Sequence, residues 1–185
     1  MDDVRRTKIS RYLSRALRHR PDSLGLALAP GGWVPVDALL IACAEHHFFI
    51  TREELNEVVA RNDKQRFAFD ESGIRIRANQ GHSVAVDLQL EPQTPPDVLF
   101  HGTGQKSVEF IRHDGLRKMS RQHVHLSANV ETAFKVGARQ GSPVVLCVDA
   151  SRMYIDGHKF YRSANGVWLV EYVPPEYLVE MDEEN

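Results

Sequence analysis

Four short stretches of this 185-residue chain carry side chains with chemical potential. Leu17-Arg18-His19-Arg20-Pro21 sets a fixed cation beside a titratable imidazole at the end of a helical pattern. Such a pair can hold a phosphate and move a proton. The plainer alternative is a solvated basic helix end whose cations complement the helix dipole. Further on, Arg75 and Arg77 fall on one face of a strand, opposite Ile74 and Ile76, and Asn79-Gln80-Gly81-His82-Ser83 follows. That polar run suits hydrogen bonding to a phosphate or sugar, and Gly81 permits close backbone approach; an exposed turn is the competing reading. His101-Gly102-Thr103 brings a ring and a hydroxyl to the end of an apolar strand, with Gly102 leaving room for an aromatic ring. A structural histidine would look the same. In Ser120-Arg121-Gln122-His123-Val124-His125-Leu126-Ser127, His123 and His125 share a strand face. No carboxylate or Cys lies close in sequence to complete a metal site there, and the other reading is a groove for an anion lined by Arg121 and the imidazoles. No phosphate-binding GxxxxGK[ST] loop, GxGxxG, GxSxG or HExxH occurs, which excludes several common enzyme classes.

These stretches need elements to position them. Ile9, Leu13, Ala16 and Leu17 recur at helical spacing, so the pattern predicts a helix over residues 4–18 that stops before Pro21, with Lys8, Arg11, Arg15 and Arg18 along another face. Trp33 to Val36 reads as extended, and Asp37 as the cap of a second helix ending near His46. Thr51 with Glu54 is a capping box ahead of a third. Phe67 and Phe69, the turn Glu71-Ser72-Gly73, then Ile74 and Ile76 read as a hairpin, and three helices before a hairpin is winged-helix order. Glu91-Pro92-Gln93-Thr94-Pro95-Pro96-Asp97 reads as a linker between a lobe at 1–90 and one at 98–185. In the second lobe the pattern predicts a strand at Val98–Phe100, a helix ending near Gly115 and a strand from His123 to Leu126. Asn129 then heads a helix to Gly137, and Val144 to Val148 is a strand buried on both faces. Further strands are predicted at 159–162, 167–173 and 177–180, which makes the whole chain α+β.

Composition sets outer limits. With 23 basic and 25 acidic residues the formal net charge is −2, and the pI is near 6.5. A bulk polyanion binder, with pI above about 9, is excluded, so contact with RNA must be local. No apolar run approaches a membrane span, and the first residues lack a signal-peptide core, so no membrane association is expected. Cys43 and Cys147 stand far apart without CxxC pairing, as in a reduced, cytoplasmic protein, and a monomer is expected. The terminal MDEEN is acidic.

Taken in order, Leu17-Arg18-His19, Arg77-Ala78-Asn79-Gln80-Gly81-His82-Ser83, His101-Gly102-Thr103 and His123-Val124-His125-Leu126-Ser127 resemble the RNA 2′-phosphotransferase family, as do Asn165-Gly166-Val167-Trp168-Leu169 and Val173-Pro174-Pro175. The resemblance spans nearly the whole chain. It implies an N-terminal winged-helix lobe that binds RNA and a C-terminal lobe of ADP-ribosyltransferase-like fold that binds NAD as co-substrate. The implied reaction removes an internal RNA 2′-phosphate, typically the splice-junction phosphate of a ligated tRNA. The phosphate attacks the ribose carbon bearing nicotinamide, and a ribose hydroxyl of the RNA-2′-phospho-ADP-ribose intermediate then attacks phosphorus. Products are RNA 2′-OH, nicotinamide and ADP-ribose cyclic phosphate. By the same resemblance, Arg18, His19, Arg77 and Arg121 are the catalytic set, with His19 protonating the departing 2′ oxygen. His101, Gly102, Thr103, His125 and Ser127 are implied to bind NAD, and Asn79, Gln80, Gly81, His82 and Ser83 to bind RNA; no metal is implied. A glutamate found in many protein-modifying relatives would fall near Gly166-Val167, where there is no acid. An anionic phosphate nucleophile needs no base to activate it. The alternatives are ADP-ribosyl transfer to a terminal phosphate of RNA or DNA, and a non-catalytic winged-helix nucleic-acid binder.

Overall fold

A computed structural model describes residues 1–62 and 64–180; the acidic MDEEN tail lies outside the described residues. The chain divides into two compact units, Met1–Gln89 and Leu90–Asn185.

The first unit begins with α1 (Asp3–Arg18), where the Asp2 carboxylate accepts from the Arg5 amide at 2.6 Å. Ile9, Leu13, Ala16 and Leu17 are its buried stripe, as their spacing predicts. The helix ends at His19, whose φ of −123° leaves helical space, and a short 3₁₀ turn starts at Pro21. Strand β1 (Val34–Pro35) leads directly into α2 (Val36–Glu45). The cap of α2 is Pro35, so Asp37 lies inside the first turn, where its carboxylate meets the positive end of the helix rather than capping it. In α3 (Arg52–Ala60) the capping box forms: Glu54 N donates to Thr51 Oγ1 at 3.2 Å, and Thr51 N donates to the Glu54 carboxylate at 3.1 Å. Strands β2 (Phe67–Phe69) and β3 (Arg75–Ala78) complete an antiparallel sheet in the order β1-β3-β2. Ile76 is fully buried but Ile74 is 64% exposed, against the expected alternation. The cause is the turn, since Asp70 accepts from the amides of both Ile74 and Arg75 and draws Ile74 out of the strand. Ile9, Leu13, Leu39, Leu55 and Ile76 anchor the core.

In the second unit, β4 (Val98–Gly104) is followed by α4 (Val108–Asp114), which Gly115 ends at φ +73°. Then come β5 (Leu116–Arg117), β6 (Val124–Leu126) and α5 (Val130–Gly137), whose cap Asn129 accepts from Thr132 N at 3.0 Å. After β7 (Pro143–Asp149) lies α6 (Ala150–Ile155), which the sequence reading missed although Asp149 caps it through Arg152 N. The chain finishes with β8 (Tyr161–Arg162), β9 (Trp168–Val170), β10 (Tyr172–Val173) and β11 (Leu178–Glu180). The antiparallel sheets are ordered β11-β7-β4, β6-β9-β8 and β10-β5. The predicted strand over 167–173 is therefore two strands, because β10 leaves its neighbours to pair with β5. Strand β7 is central, yet only Leu146 and Val148 are buried, so it presents one face to the core instead of two. Leu99, Leu146, Val148, Met153 and Phe160 anchor that core.

The stretch 91–97 is built into this second unit rather than left as a free connector. Pro92 bridges Tyr161, Gln93 N donates to Phe160 O at 2.8 Å, and the Asp97 carbonyl accepts from the amides of Ala150 and Ser151. Neither a helix nor a central strand runs through it, as its prolines dictate. No described helix is long and apolar enough to cross a membrane.

Candidate active site

In the first unit, the predicted residues gather at the end of α1. A helix terminus leaves carbonyls without intrahelical donors. The Arg18 carbonyl accepts from the Ser83 amide at 2.9 Å and the Val84 amide at 3.4 Å, which ties the polar run after β3 to the helix end. Ser83 Oγ lies 2.9 Å from His19 Nδ1. The Arg18 guanidinium stands 6.0 Å over the Phe67 ring and donates to the Arg66 carbonyl at 3.4 Å. Arg77 lies on the face of β3 shared with Arg75, and both stack against Trp33, at 4.5 and 5.4 Å from its ring centroid. Arg77 Nη1 reaches the Gly31 carbonyl at 3.4 Å, while its Nε is buried without a hydrogen-bond partner, and burial lowers its pKa.

The polar run turns inward. Asn79 is buried and donates to the Gln65 carbonyl at 2.6 Å, with Oδ1 left without a partner; Gln80 is half-buried. Gly81 takes φ +87°, which reverses the chain. His82 is 1% exposed, and neither ring nitrogen has a hydrogen-bond partner. Burial, then the charges of Arg18, His19 and Arg77, push its pKa down to about 4, so the ring is neutral near pH 7. Only Ser83 of the run is exposed. An exposed turn is thus replaced by a brace that closes on the helix end. Cations beside a buried imidazole disfavour its charged form, and a group perturbed in this way next to arginines is a candidate site for an anion.

In the second unit, the predicted residues follow the join between β4 and β6. Phe100 and Ser127 exchange both backbone hydrogen bonds, at 2.7 and 2.8 Å. His101 Nδ1 donates to the His125 carbonyl at 3.0 Å, and burial lowers the ring's pKa, so His101 is neutral with its lone pair on Nε2. Arg121 Nη1 lies 2.9 Å from His125 Nδ1. Arginine only donates, so Nδ1 accepts and the His125 proton sits on Nε2. Ser127 Oγ donates to the Asn129 carbonyl at 2.9 Å at the start of α5. Thr103 is 3% exposed. Gly102 has a different reason from the one read in the sequence: a Cβ there would collide with the Ala133 carbonyl of α5, so the room is filled by helix backbone. Gly137 meets the same strand, its would-be Cβ 2.7 Å from the Thr103 carbonyl. His123 stands apart, its ring tilted against Tyr161 at 6.0 Å. Among the described residues, no three His, Cys, Asp or Glu side chains are grouped to hold a metal.

Sequence reasoning missed Trp33, the platform under Arg77. The sequence reads Trp33 to Val36 only as extended; the register, Pro35 with Arg75 and Val34 with Ile76, is what sets Trp33, just before β1, beside Arg77. Gly31 belongs to the same platform, since a Cβ there would press on the Trp33 ring at 2.8 Å.

The model of the RNA 2′-phosphotransferase, Tpt1 / KptA family matches residues 4–172. A protein of Trichormus variabilis named "Probable RNA 2′-phosphotransferase" is 62% identical over 182 residues, covering 98% of this chain and 100% of that protein. A protein of the same name from Nostoc punctiforme is 62% identical over 178 residues, 96% of this chain and 98% of its own. One from Streptomyces coelicolor is 57% identical over 178 residues, 96% and 97% of the two chains.

Proposed function

The chain belongs to the RNA 2′-phosphotransferase family, and on that premise we propose that it is an NAD-dependent enzyme removing an internal 2′-phosphate from RNA. The observation that carries the reading is the group of Arg18, His19, Arg77 and neutral His82 at the end of α1. Arginine forks grip phosphate oxygens in two places and stay cationic, so Arg18 and Arg77 hold the 2′-phosphate and offset charge that develops on it. Trp33 fixes the Arg77 fork. His19, at the exposed helix end, protonates the departing RNA 2′ oxygen as general acid.

The second unit carries the NAD-binding residues. The polar groups there fit that ligand: a neutral His101 with an accepting Nε2 and the hydroxyls of Thr103 and Ser127, while Arg121, whose Nη1 meets His125 Nδ1, belongs with Arg18 and Arg77 as a holder of the 2′-phosphate. Bound NAD supplies a ribose carbon from which nicotinamide leaves. Gly102 acts by letting α5 close against β4, which fixes His101 and Thr103 on the opposite side of the strand. The order α1, α2, α3 and then the β2–β3 hairpin supports a winged-helix lobe, and the NAD residues along β4 and β6 support an ADP-ribosyltransferase-like one. The unbridged thiols of Cys43 and Cys147 support a reduced, cytoplasmic setting, and the working form is a monomer on RNA carrying a 2′-phosphate.

The test is a 2′-phosphorylated oligonucleotide incubated with NAD⁺, with nicotinamide, ADP-ribosylated RNA and dephosphorylated RNA followed in time. Transient ADP-ribosylated RNA followed by RNA 2′-OH is expected. His19→Ala should keep nicotinamide release and accumulate the ADP-ribosylated RNA. Absence of all three species from the native enzyme would overturn the reading, and a stable ADP-ribosylated end product would move it to terminal-phosphate modification.

A further inference from the structure

We infer that Ser83 is the positioning residue of His19, holding Nδ1 so that the proton delivered to the departing 2′ oxygen comes from Nε2. The inference rests on the general-acid role proposed for His19, and it reassigns Ser83 from contact with RNA to work inside the protein. Two observations meet at this residue. Its hydroxyl is 2.9 Å from His19 Nδ1, and its amide donates to the carbonyl of Arg18 at 2.9 Å. The backbone bond sets where the hydroxyl stands relative to the end of α1, and the hydroxyl sets the ring. Gly81, at φ +87°, makes the reversal that brings Ser83 back to the helix, and buried His82 anchors the segment just before it.

A hydroxyl suits this duty because it serves both protonation states. In the charged ring Nδ1–H donates to Oγ, and Nε2–H is the proton to be given. The ring that has given it keeps Nδ1–H on Oγ, while in the resting neutral ring Oγ–H turns and donates to Nδ1, leaving the proton on Nε2. A carboxylate in the same place would favour the imidazolium and resist loss of its proton. In the step served, a ribose hydroxyl oxygen bonds to phosphorus while the bond from phosphorus to the RNA 2′ oxygen breaks. That oxygen takes the Nε2 proton of the charged ring, which is left neutral with its proton on Nδ1, and the proton shed by the attacking hydroxyl returns the charge to the ring at Nε2. Only this step calls on His19, so loss of Ser83 should spare the earlier release of nicotinamide.

The experiment compares Ser83→Ala and Ser83→Thr with the native enzyme in single turnovers on a 2′-phosphorylated oligonucleotide and NAD⁺. Breakdown of ADP-ribosylated RNA should slow roughly 10- to 100-fold in Ser83→Ala, the range by analogy with removal of the hydrogen-bond partner that orients a metal-ligating histidine. Nicotinamide release and the KM for RNA should stay within about twofold of native, and Ser83→Thr, which keeps a hydroxyl, should recover most of the loss. Imidazole ¹⁵N spectra of the protein without substrates give a readout independent of turnover. Native His19 should show an Nε2–H tautomer that becomes mixed in Ser83→Ala. Unchanged breakdown of the ADP-ribosylated RNA, or unchanged His19 nitrogen shifts, overturns the inference. A raised KM with kcat intact also overturns it and returns Ser83 to the RNA. If native enzyme releases no nicotinamide, the proposed function falls, and the nitrogen spectra still decide the pairing.

Discussion

At the scale of single residues, His82 shows how the site leaves a trace in stability. Its ring is buried between like charges and has no hydrogen-bond partner, so protonation in the folded state is opposed twice. In the unfolded chain it titrates near an ordinary histidine value, about 6.5, whereas folding lowers this to about 4. The unfolded state therefore binds more protons between these two values. Stability is complete above about pH 6.5 and is lost as pH falls toward 4. From pH 7.5 to pH 5 the loss from this one group is on the order of 2 kcal/mol. Urea unfolding at the two pH values should show it, and His82→Leu should flatten the dependence. Some slope will remain, because burial also lowers the pKa of His101 and His123. An equally steep profile in the variant would mean that His82 is not the group being protonated. The same physics gives the proposed phosphate a readout, because an anion beside Arg18 and Arg77 would offset the part of the depression that their charges add to burial.

Elements carry the next level of constraint. Helix α5 rests directly on β4, and the contact is made where Gly102 and Gly137 remove side chains. Gly102→Ala would drive a methyl into the Ala133 carbonyl, and overpacking against rigid backbone costs typically about 1–3 kcal/mol. Thermal unfolding should register that loss, with the second unit affected first. The capping box of α3 is a milder lever. Thr51→Ala removes one acceptor at a helix start and should cost about 1 kcal/mol. Native-like unfolding of Gly102→Ala would show that α5 can shift away from the strand. Features of this kind were unequally legible in the sequence. The stripe of α1, the Thr51 box and the Asn129 cap are written in local spacing, and the structure forms all of them. The division of 167–173 and the single buried face of β7 depart from the reading because strand partners distant in sequence decide them. Asp37 and Ile74 depart for local reasons, the helix starting after Pro35 and the turn held by Asp70. The candidate site divides likewise. Residue types and order pointed to Arg18, His19 and Arg77, but the burial of His82 and the helix against Gly102 depend on tertiary closure that no motif encodes.

For the whole molecule, the question is how a chain of net charge −2 engages a polyanion. Residues 1–90 hold 13 basic and 12 acidic side chains, and many of the bases are already matched. Arg5 pairs with Glu54 at 2.9 Å, Arg6 with Asp3 at 2.6 Å, Arg61 with Glu57 at 3.4 Å and Arg75 with Asp70 at 2.8 Å. Exposed pairs add little to stability, but they remove cations from the field an approaching RNA meets. Arg77 lies beside the neutral His82 ring and stacks on Trp33, and in the proposed reaction the attraction is directed at one phosphate. Two or three phosphate contacts on single-stranded RNA give a slope of log K against log salt of about −1.4 to −2. Raising salt from 50 to 200 mM should then weaken RNA binding by on the order of tenfold, against 10³–10⁵ for a protein with six to ten contacts. Titration of a 2′-phosphorylated oligonucleotide at several salt concentrations measures this. A slope steeper than about −4 would mean that exposed Lys8, Arg11 and Arg15 on α1 also track the backbone. Their replacement by Gln would then restore the shallow dependence, whereas in a chain that grips one phosphate the same replacement leaves the slope where it was.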